Sequence, residues 1–334
     1  MALSPRGLCR RYGLTYVETN ELDIRRRRCG RGFAYLDSAG RVIRDKGAKK
    51  RIKSLAIPPA WTEVCNASDD RAHIQAVGRD AEGRLQYRYH PGWNRLRSDL
   101  KVRRLLKFGE SLGQVRRAVT AALRKPGFAR QKLVAAVVRL MDRALLRPGH
   151  EAYARVNGGR GAATLTTNDI EVAGDSIRLN FRGKGGKEVM LRLQDALLAP
   201  VLRQLSELGG GRLFKLPGDD RPVTAQEVNN FISEVSGAQV TAKDFRTFRA
   251  SAKALGLLAE EQDGSQRAML RVADKVSEKL VNTRSLARSS YIHPLVFEAY
   301  QRGVLTGRLL KGRITSGLNK FESALLRLLK SAAQ

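Results

Sequence analysis

Asp169-Ile170-Glu171-Val172-Ala173-Gly174-Asp175-Ser176-Ile177-Arg178-Leu179-Asn180-Phe181-Arg182-Gly183-Lys184-Gly185-Gly186-Lys187-Glu188-Val189-Met190-Leu191-Arg192-Leu193 is the stretch on which the fold turns. It reads as short strands over Asp169 to Val172, Ser176 to Phe181 and Glu188 to Leu193. Gly174-Asp175 and Gly183 to Gly186 supply the turns between them. Thr164-Leu165, just upstream, reads as a further short strand. The stretch is a β island, because the chain on both sides of it is patterned for helix.

Upstream, Leu96, Leu100, Val102 or Arg103, and Leu106 recur at helical spacing, and Ala129 to Leu146 repeats the theme with Leu133, Val137, Leu140 and Ala144 on one stripe. Pro126-Gly127 separates the two helices and Pro148-Gly149 ends the second. Downstream, helices are expected over Asp195 to Leu208, Asp244 to Leu258, Gln266 to Val281 and Leu318 to Leu329. Thr224-Ala225-Gln226-Glu227 is a capping box opening another. Residues 30 to about 90 read instead as strands and turns: Gly32 to Leu36, His73 to Val77 and Leu85 to Tyr89, with turns at Asp37 to Gly40 and Arg79 to Gly83. The expected fold is α+β. A small β-rich N-terminal domain over 1–94 precedes a larger, mainly helical domain over 95–334 that carries a short three-stranded sheet.

Composition narrows the function. The 334 residues include 62 Lys and Arg against 32 Asp and Glu, a formal charge of +30. With 42% hydrophobic residues the chain can build a core, so the excess charge does not signal disorder. Residues 1–100 hold 21 basic and 11 acidic side chains, and the rest hold 41 and 21, so the charge is no tail. A chain that grips a polyanion along its whole length has this profile. Cys9, Cys29 and Cys65 are odd in number and form no C-x-x-C pair, so neither a disulfide framework nor a cysteine zinc site is expected, and a reducing compartment is. The longest apolar run, Leu133 to Val138 between Lys132 and Arg139, falls far short of the ~20 residues a membrane span needs. Arg6, Arg10 and Arg11 are followed by no apolar stretch, so no signal peptide is expected.

Two site classes drop out. His73, His90, His150 and His293 are the four histidines, with no H-x-x-x-H or carboxylate cluster beside them, so no metal is expected. Gly183-Lys184-Gly185-Gly186-Lys187 lacks the spacing of a nucleotide phosphate loop and reads as a hairpin turn. What survives is a dispersed set: Arg147 closing a helix, Lys184 at a hairpin tip, Arg246 in Lys243-Asp244-Phe245-Arg246-Thr247, and Asn282 nine residues before Tyr291. Each alone has an ordinary reading, as dipole complement, solvated turn residue or half-buried aromatic.

Together they resemble the type IB DNA topoisomerases of the small bacterial and poxvirus kind, over nearly the whole chain. Ile24-Arg25-Arg26-Arg27-Arg28-Cys29-Gly30-Arg31-Gly32-Phe33, Leu55-Ala56-Ile57-Pro58-Pro59-Ala60-Trp61 and Gln86-Tyr87-Arg88-Tyr89-His90 resemble the N-terminal part. Leu146-Arg147-Pro148-Gly149-His150-Glu151-Ala152-Tyr153, Phe181-Arg182-Gly183-Lys184, Lys243 to Thr247, Asn282-Thr283 and Ser290-Tyr291-Ile292-His293-Pro294 resemble the catalytic part. The resemblance implies the catalytic fold shared with tyrosine recombinases. It implies that Tyr291 forms a 3′-phosphotyrosyl bond, that Arg147, Arg246 and Asn282 neutralise the phosphorane, and that Lys184 protonates the leaving 5′ oxygen. It also implies double-stranded DNA as partner, with Gln86, Tyr87, Tyr89, Arg25, Arg26, Arg27, Arg28 and Lys243 contacting it. No cofactor, no metal, a monomeric state and a cytoplasmic, nucleoid-associated location go with that reading.

The pattern departs from the family at two places in the last motif. Val281 stands where Gly is common and Arg284 where Pro is common, so a left-handed backbone at 281 would be strained. Leu85 stands where a Lys often precedes the Gln-Tyr pair. A tyrosine site-specific recombinase is the alternative reading, but Lys243 occupies the place of its usual His and residues 30–90 read as β. A DNA-binding protein without catalysis is a third, against which every catalytic residue type is present.

Overall fold

Four consecutive arginines make a poor strand by propensity, yet Ile24-Arg25-Arg26-Arg27-Arg28-Cys29 is one. Its neighbours account for it: in the computed structural model it is hydrogen-bonded on both edges, pairing Arg25 with Leu36 on one side and with Cys65 on the other. The structure describes residues 4–209, 211–216, 218–219, 221–261 and 264–333. The chain divides into two compact units, 1–101 and 102–334.

The first unit begins with helix α1 (Pro5–Arg11), then strands β1 (Ile24–Cys29) and β2 (Gly32–Leu36), helix α2 (Lys46–Ser54), and strands β3 (Thr62–Asn66), β4 (Ile74–Arg79) and β5 (Leu85–Tyr89). The strands form an antiparallel sheet in the order β2-β1-β3-β4-β5. Two small clusters stabilise it: Leu22, Ala67, Ala72, Ile74 and Val77 in one, and Ile24, Tyr35 and Ile52 in the other. The expectation of only strands and turns over 30–90 is corrected by α2. Its run Lys46-Gly47-Ala48-Lys49-Lys50-Arg51-Ile52-Lys53-Ser54 buries only Ile52, so no apolar stripe announces it. Its start is set by Asp45, whose carboxylate accepts from the Ala48 amide at 2.6 Å.

Helix α3 (Pro91–Arg124) follows, and the division into units falls inside it. Then come α4 (Arg130–Ala144), α5 (Glu151–Asn157), strands β6 (Ile170–Ala173), β7 (Ser176–Arg182) and β8 (Glu188–Gln194), and helices α6 (Leu198–Glu207), α7 (Ala225–Ser236), α8 (Ala242–Glu260), α9 (Gln266–Leu280), α10 (Arg284–Leu286), α11 (Pro294–Gln301), α12 (Gly307–Leu310) and α13 (Lys320–Ala333). The expected three-stranded sheet is present, antiparallel in the order β6-β7-β8. Thr164-Leu165 is not a strand. Residues Ala162–Thr164 form a 3₁₀ turn because the Ala162 and Ala163 amides are taken by the carbonyls of Arg147 and Pro148, at 2.8 and 2.7 Å.

One continuous apolar core holds the second unit, from Val102 on α3 to Leu329 on α13. Helix α8 runs through its centre, where Phe245 and Phe248 meet Phe108 edge to face at 4.8 and 5.6 Å. The arginine between those two phenylalanines is therefore inside the protein, and the site is built around it. No described helix is long and apolar enough to cross a membrane.

Candidate active site

Arg246 is only 3% exposed. A buried guanidinium needs acceptors, and the C-terminal ends of two helices supply them. Arg246 donates through Nη1 to the Leu145 carbonyl and through Nη2 to the Leu280 carbonyl at 2.9 Å. Leu145 ends α4 and Leu280 is the last residue of α9, so both carbonyls sit at negative helix ends. Each end is turned by a non-glycine residue in the left-handed region: Leu145 at φ 55° and Val281 at φ 50°. The strain expected at Val281 is therefore real, since a β-branched side chain rarely adopts this backbone. Burial is the main influence on Arg246 and pushes its pKa down to about 10, with the Tyr291 phenol opposing and Arg147 adding to the drop.

The Val281 turn also aims Asn282. Its amide N–H returns to the Ser277 carbonyl at 3.0 Å, and its side-chain Oδ1 accepts from Arg147 Nη2 at 2.6 Å. The Asn282 Nδ2 donor is buried and has no partner among the described residues. Arg147 itself lies on the extended segment after α4, held there by the two amides of the 3₁₀ turn.

Tyr291 ends a single π-type turn, Ala287–Tyr291, closed by the Ile292 amide donating to the Ala287 carbonyl at 2.9 Å. Ser251 on α8 anchors that turn. Its hydroxyl donates to the Tyr291 carbonyl at 3.2 Å and accepts from the His293 amide at 2.9 Å. The phenol ring lies 4.8 Å from the Arg246 guanidinium carbon. Burial acts first on the phenol, to raise its pKa. The charges of Arg246 and then Arg147, with hydrogen bonds from both, outweigh it, and the net shift is below the ordinary value.

Lys184 sits exposed at the tip of the β7–β8 hairpin, past the last pair Arg182↔Glu188. Gly185 and Gly186, at φ 75° and 76°, make the turn that carries it, and the Gly183 amide closes it on the Lys187 carbonyl at 2.7 Å. A cleft of about 530 Å³ brings Arg147, Lys184, Arg246 and Tyr291 onto one wall system, with Lys243 at the start of α8 also lining it. Asn282 joins through its bond to Arg147. Arg160 and His150 line the cleft as well. Arg160 was not singled out from sequence. The one available signal was an arginine isolated between glycines, in Gly158-Gly159-Arg160-Gly161.

The residues expected to touch DNA in the first unit lie on two strands. On β1, Arg25, Arg27 and Arg28 are exposed. Arg26 is not equivalent to them: it donates to the Pro58 and Trp61 carbonyls at 3.2 and 2.5 Å and lies 4.1 Å over the Phe33 ring. On β5, Gln86 donates to Asp80 Oδ2 at 2.8 Å, and the Tyr87 and Tyr89 rings stack at 5.7 Å while packing on the Ile74–Val77 cluster. Among the described residues no group of three or more His, Cys, Asp and Glu side chains could hold a metal ion.

Comparison with known proteins identifies the family. Residues 94–304 match the family described as eukaryotic DNA topoisomerase I, catalytic core, and residues 32–80 match that of the bacterial DNA topoisomerase IB N-terminal domain. A DNA topoisomerase 1B of Acanthamoeba polyphaga mimivirus is 28% identical over 267 residues, which cover 75% of this chain and 80% of that protein. With the family match spanning most of the chain, this protein belongs to the type IB DNA topoisomerases.

Proposed function

We propose that Tyr291 is the nucleophile with which this topoisomerase relaxes supercoiled DNA. The phenol gives up its proton to solvent, the phenolate oxygen attacks a phosphodiester phosphorus, the P–O5′ bond breaks, and the strand stays joined to the protein as a 3′-phosphotyrosine. Lys184 gives its proton to the departing 5′ oxygen. Arg147 and Arg246 neutralise the non-bridging oxygens as the phosphorane forms. The Nδ2 of Asn282 adds a donor to the same oxygens. After strand rotation the 5′ hydroxyl attacks in reverse and the tyrosine leaves. One phosphoester is exchanged for another at each step, so bond energy is conserved and neither ATP nor a metal is needed.

The observation that carries this reading is that Tyr291, with its ring 4.8 Å from the Arg246 guanidinium carbon, lines one cleft with Arg147, Arg246 and Lys184, the two guanidiniums drawing its phenol below the ordinary value. An activated phenol beside an amine donor suits nucleophilic displacement at phosphorus. In the first unit, Arg25, Arg27 and Arg28 would take phosphates and Gln86 would face base edges, while Tyr87 and Tyr89, whose rings pack on the apolar cluster, would offer DNA only their exposed edges, with Lys243 adding a contact at the cleft. Arg26, committed to two carbonyls, supports the sheet instead. We further take the protein to act as a monomer on duplex DNA in the cytoplasm, at the nucleoid.

Plasmid relaxation in EDTA without ATP tests the activity, and Tyr291→Phe tests the site. The variant is expected to bind duplex DNA as the parent does and to form no covalent adduct. An adduct that persisted in Tyr291→Phe would remove Tyr291 from the role.

A further inference from the structure

The segment Gly158 to Gly161 is wedged between the Arg147 turn and the Lys184 hairpin. A Cβ on Gly161 would come within 2.6 Å of the Arg147 carbonyl, and one on Gly159 within 3.1 Å of the Gly183 carbonyl. The Arg160 amide donates to the Arg182 carbonyl at 2.7 Å, at the base of the hairpin. The glycine at 161 is thus required by close backbone approach, and a side chain at 159 would fit only tightly. Arg160 is the single side chain between them, and it lines the same cleft as Arg147, Lys184, Arg246 and Tyr291.

Its guanidinium is aimed. Nη1 donates to Asp169 Oδ1, and Asp169 is 4% exposed and fixed in turn by the Thr166 amide and hydroxyl at 2.7 and 2.8 Å. The Arg160 side chain remains 33% exposed. One bond to Asp169 leaves a guanidinium with further donors for a second acceptor. In a cleft already lined by two arginines and two lysines, that acceptor is an anion.

We infer that Arg160 is a third guanidinium of the DNA site and binds the phosphate next to the scissile one, on the strand that departs with the free 5′ hydroxyl. The side of the cleft follows from the backbone. Arg160 is bonded to the hairpin that carries Lys184, and Lys184 serves the 5′ leaving oxygen in the function proposed above, on which this inference rests. Asp169 sets the direction of the guanidinium and Arg160 makes the contact.

The test uses full-length protein and a short duplex that traps the covalent adduct. Arg160→Ala is expected to lower the adduct-forming rate about tenfold and to reduce the salt slope of duplex binding by about 0.9, the loss of one phosphate contact. Arg160→Lys should keep most of the slope. A duplex with a neutral methylphosphonate at that neighbouring phosphate should slow the parent by a similar factor and leave Arg160→Ala unaffected, because both changes remove one contact. If the two effects multiply, the residue does not touch that phosphate and the inference is overturned. The double variant Arg160→Ala/Asp169→Asn guards against a folding artefact: should it restore the parent slope and rate, the pair is only a structural bridge. A parent protein that traps no adduct at Tyr291 counts instead against the function proposed for the cleft, so the two failures are separable.

Discussion

The arginines of β1 and those of the cleft are the same residue in two different trades. Arg25, Arg27 and Arg28 project from a sheet stabilised by two small clusters, and solvent screens them. Arg246 is enclosed by the continuous core of the second unit, anchored by two of its donors on two helix ends, while its Nε has no partner among the described residues. An exposed guanidinium can follow a polyanion at little structural cost, and each one contributes modestly. A buried one costs desolvation but holds its geometry to the accuracy that transition-state stabilisation needs. Exposed charge suits a grip on a polyanion, whereas burial and hydrogen bonding fix the geometry that catalysis needs.

That contrast can be broken most sharply at Lys184 and Arg246. Lys184→Ala should slow strand cleavage by roughly 10²–10⁴-fold, with thermal stability unchanged because the side chain is exposed. A substrate with a 5′-thiol leaving group should recover most of the loss, and a failure to recover it would take Lys184 out of the acid role. Arg246→Ala should cost about 10²–10³-fold in the cleavage rate, and also stability, since the Leu145 and Leu280 carbonyls lose their donor. Arg246→Lys should not rescue, because one ammonium cannot span both carbonyls and a phosphate.

The pH dependence follows from the phenol. A lowered pKa means that the reactive phenolate appears at lower pH, so the rising limb of cleavage rate against pH should lie below the ordinary tyrosine range. Among the charges, Arg246 lowers the phenol most and Arg147 less. Arg246→Ala should therefore shift the limb upward further than Arg147→Ala does, in rate profiles taken on the trapping duplex.

Within the first unit the same contrast is testable on neighbours. Arg26→Ala should destabilise by about 1 kcal/mol, by leaving the part-buried Pro58 and Trp61 carbonyls without their donor. Arg27→Ala should change stability by less than about 0.5 kcal/mol and act on the salt slope of DNA binding instead. Equal effects in a denaturation series would erase the distinction drawn here. A change of the opposite sign is expected at the strained turn. Val281→Gly should raise stability by roughly 1 kcal/mol, the relief of left-handed strain less the added freedom of glycine. Val281 also packs on the core, and a net loss of stability would mean that this packing outweighs the strain.

Local patterns carried much of the design. The strands around Lys184, the Thr224 capping box that starts α7, and the helical stripe of α4 stand where the sequence places them, because each depends on neighbours within a turn or a hairpin. Residue types and motif order also pointed to the family before any geometry. The change of pattern near residue 94 marks the start of α3, whereas the compact units part at 101 and 102, because a helix can begin in one packing unit and end in another.

Other features belong to contacts between distant segments. The arginine strand β1 exists because it has partners on both edges, although nothing in its own composition favours a strand. Ser251 lies 40 residues from the backbone of Tyr291 that it anchors. Arg160 is joined to the site only where a glycine bridge squeezes between two turns. A chain announces what is settled within a few residues, by propensity and period. Which carbonyl receives a buried guanidinium, and which arginine is drawn out of solvent, is decided by the packing of the whole unit.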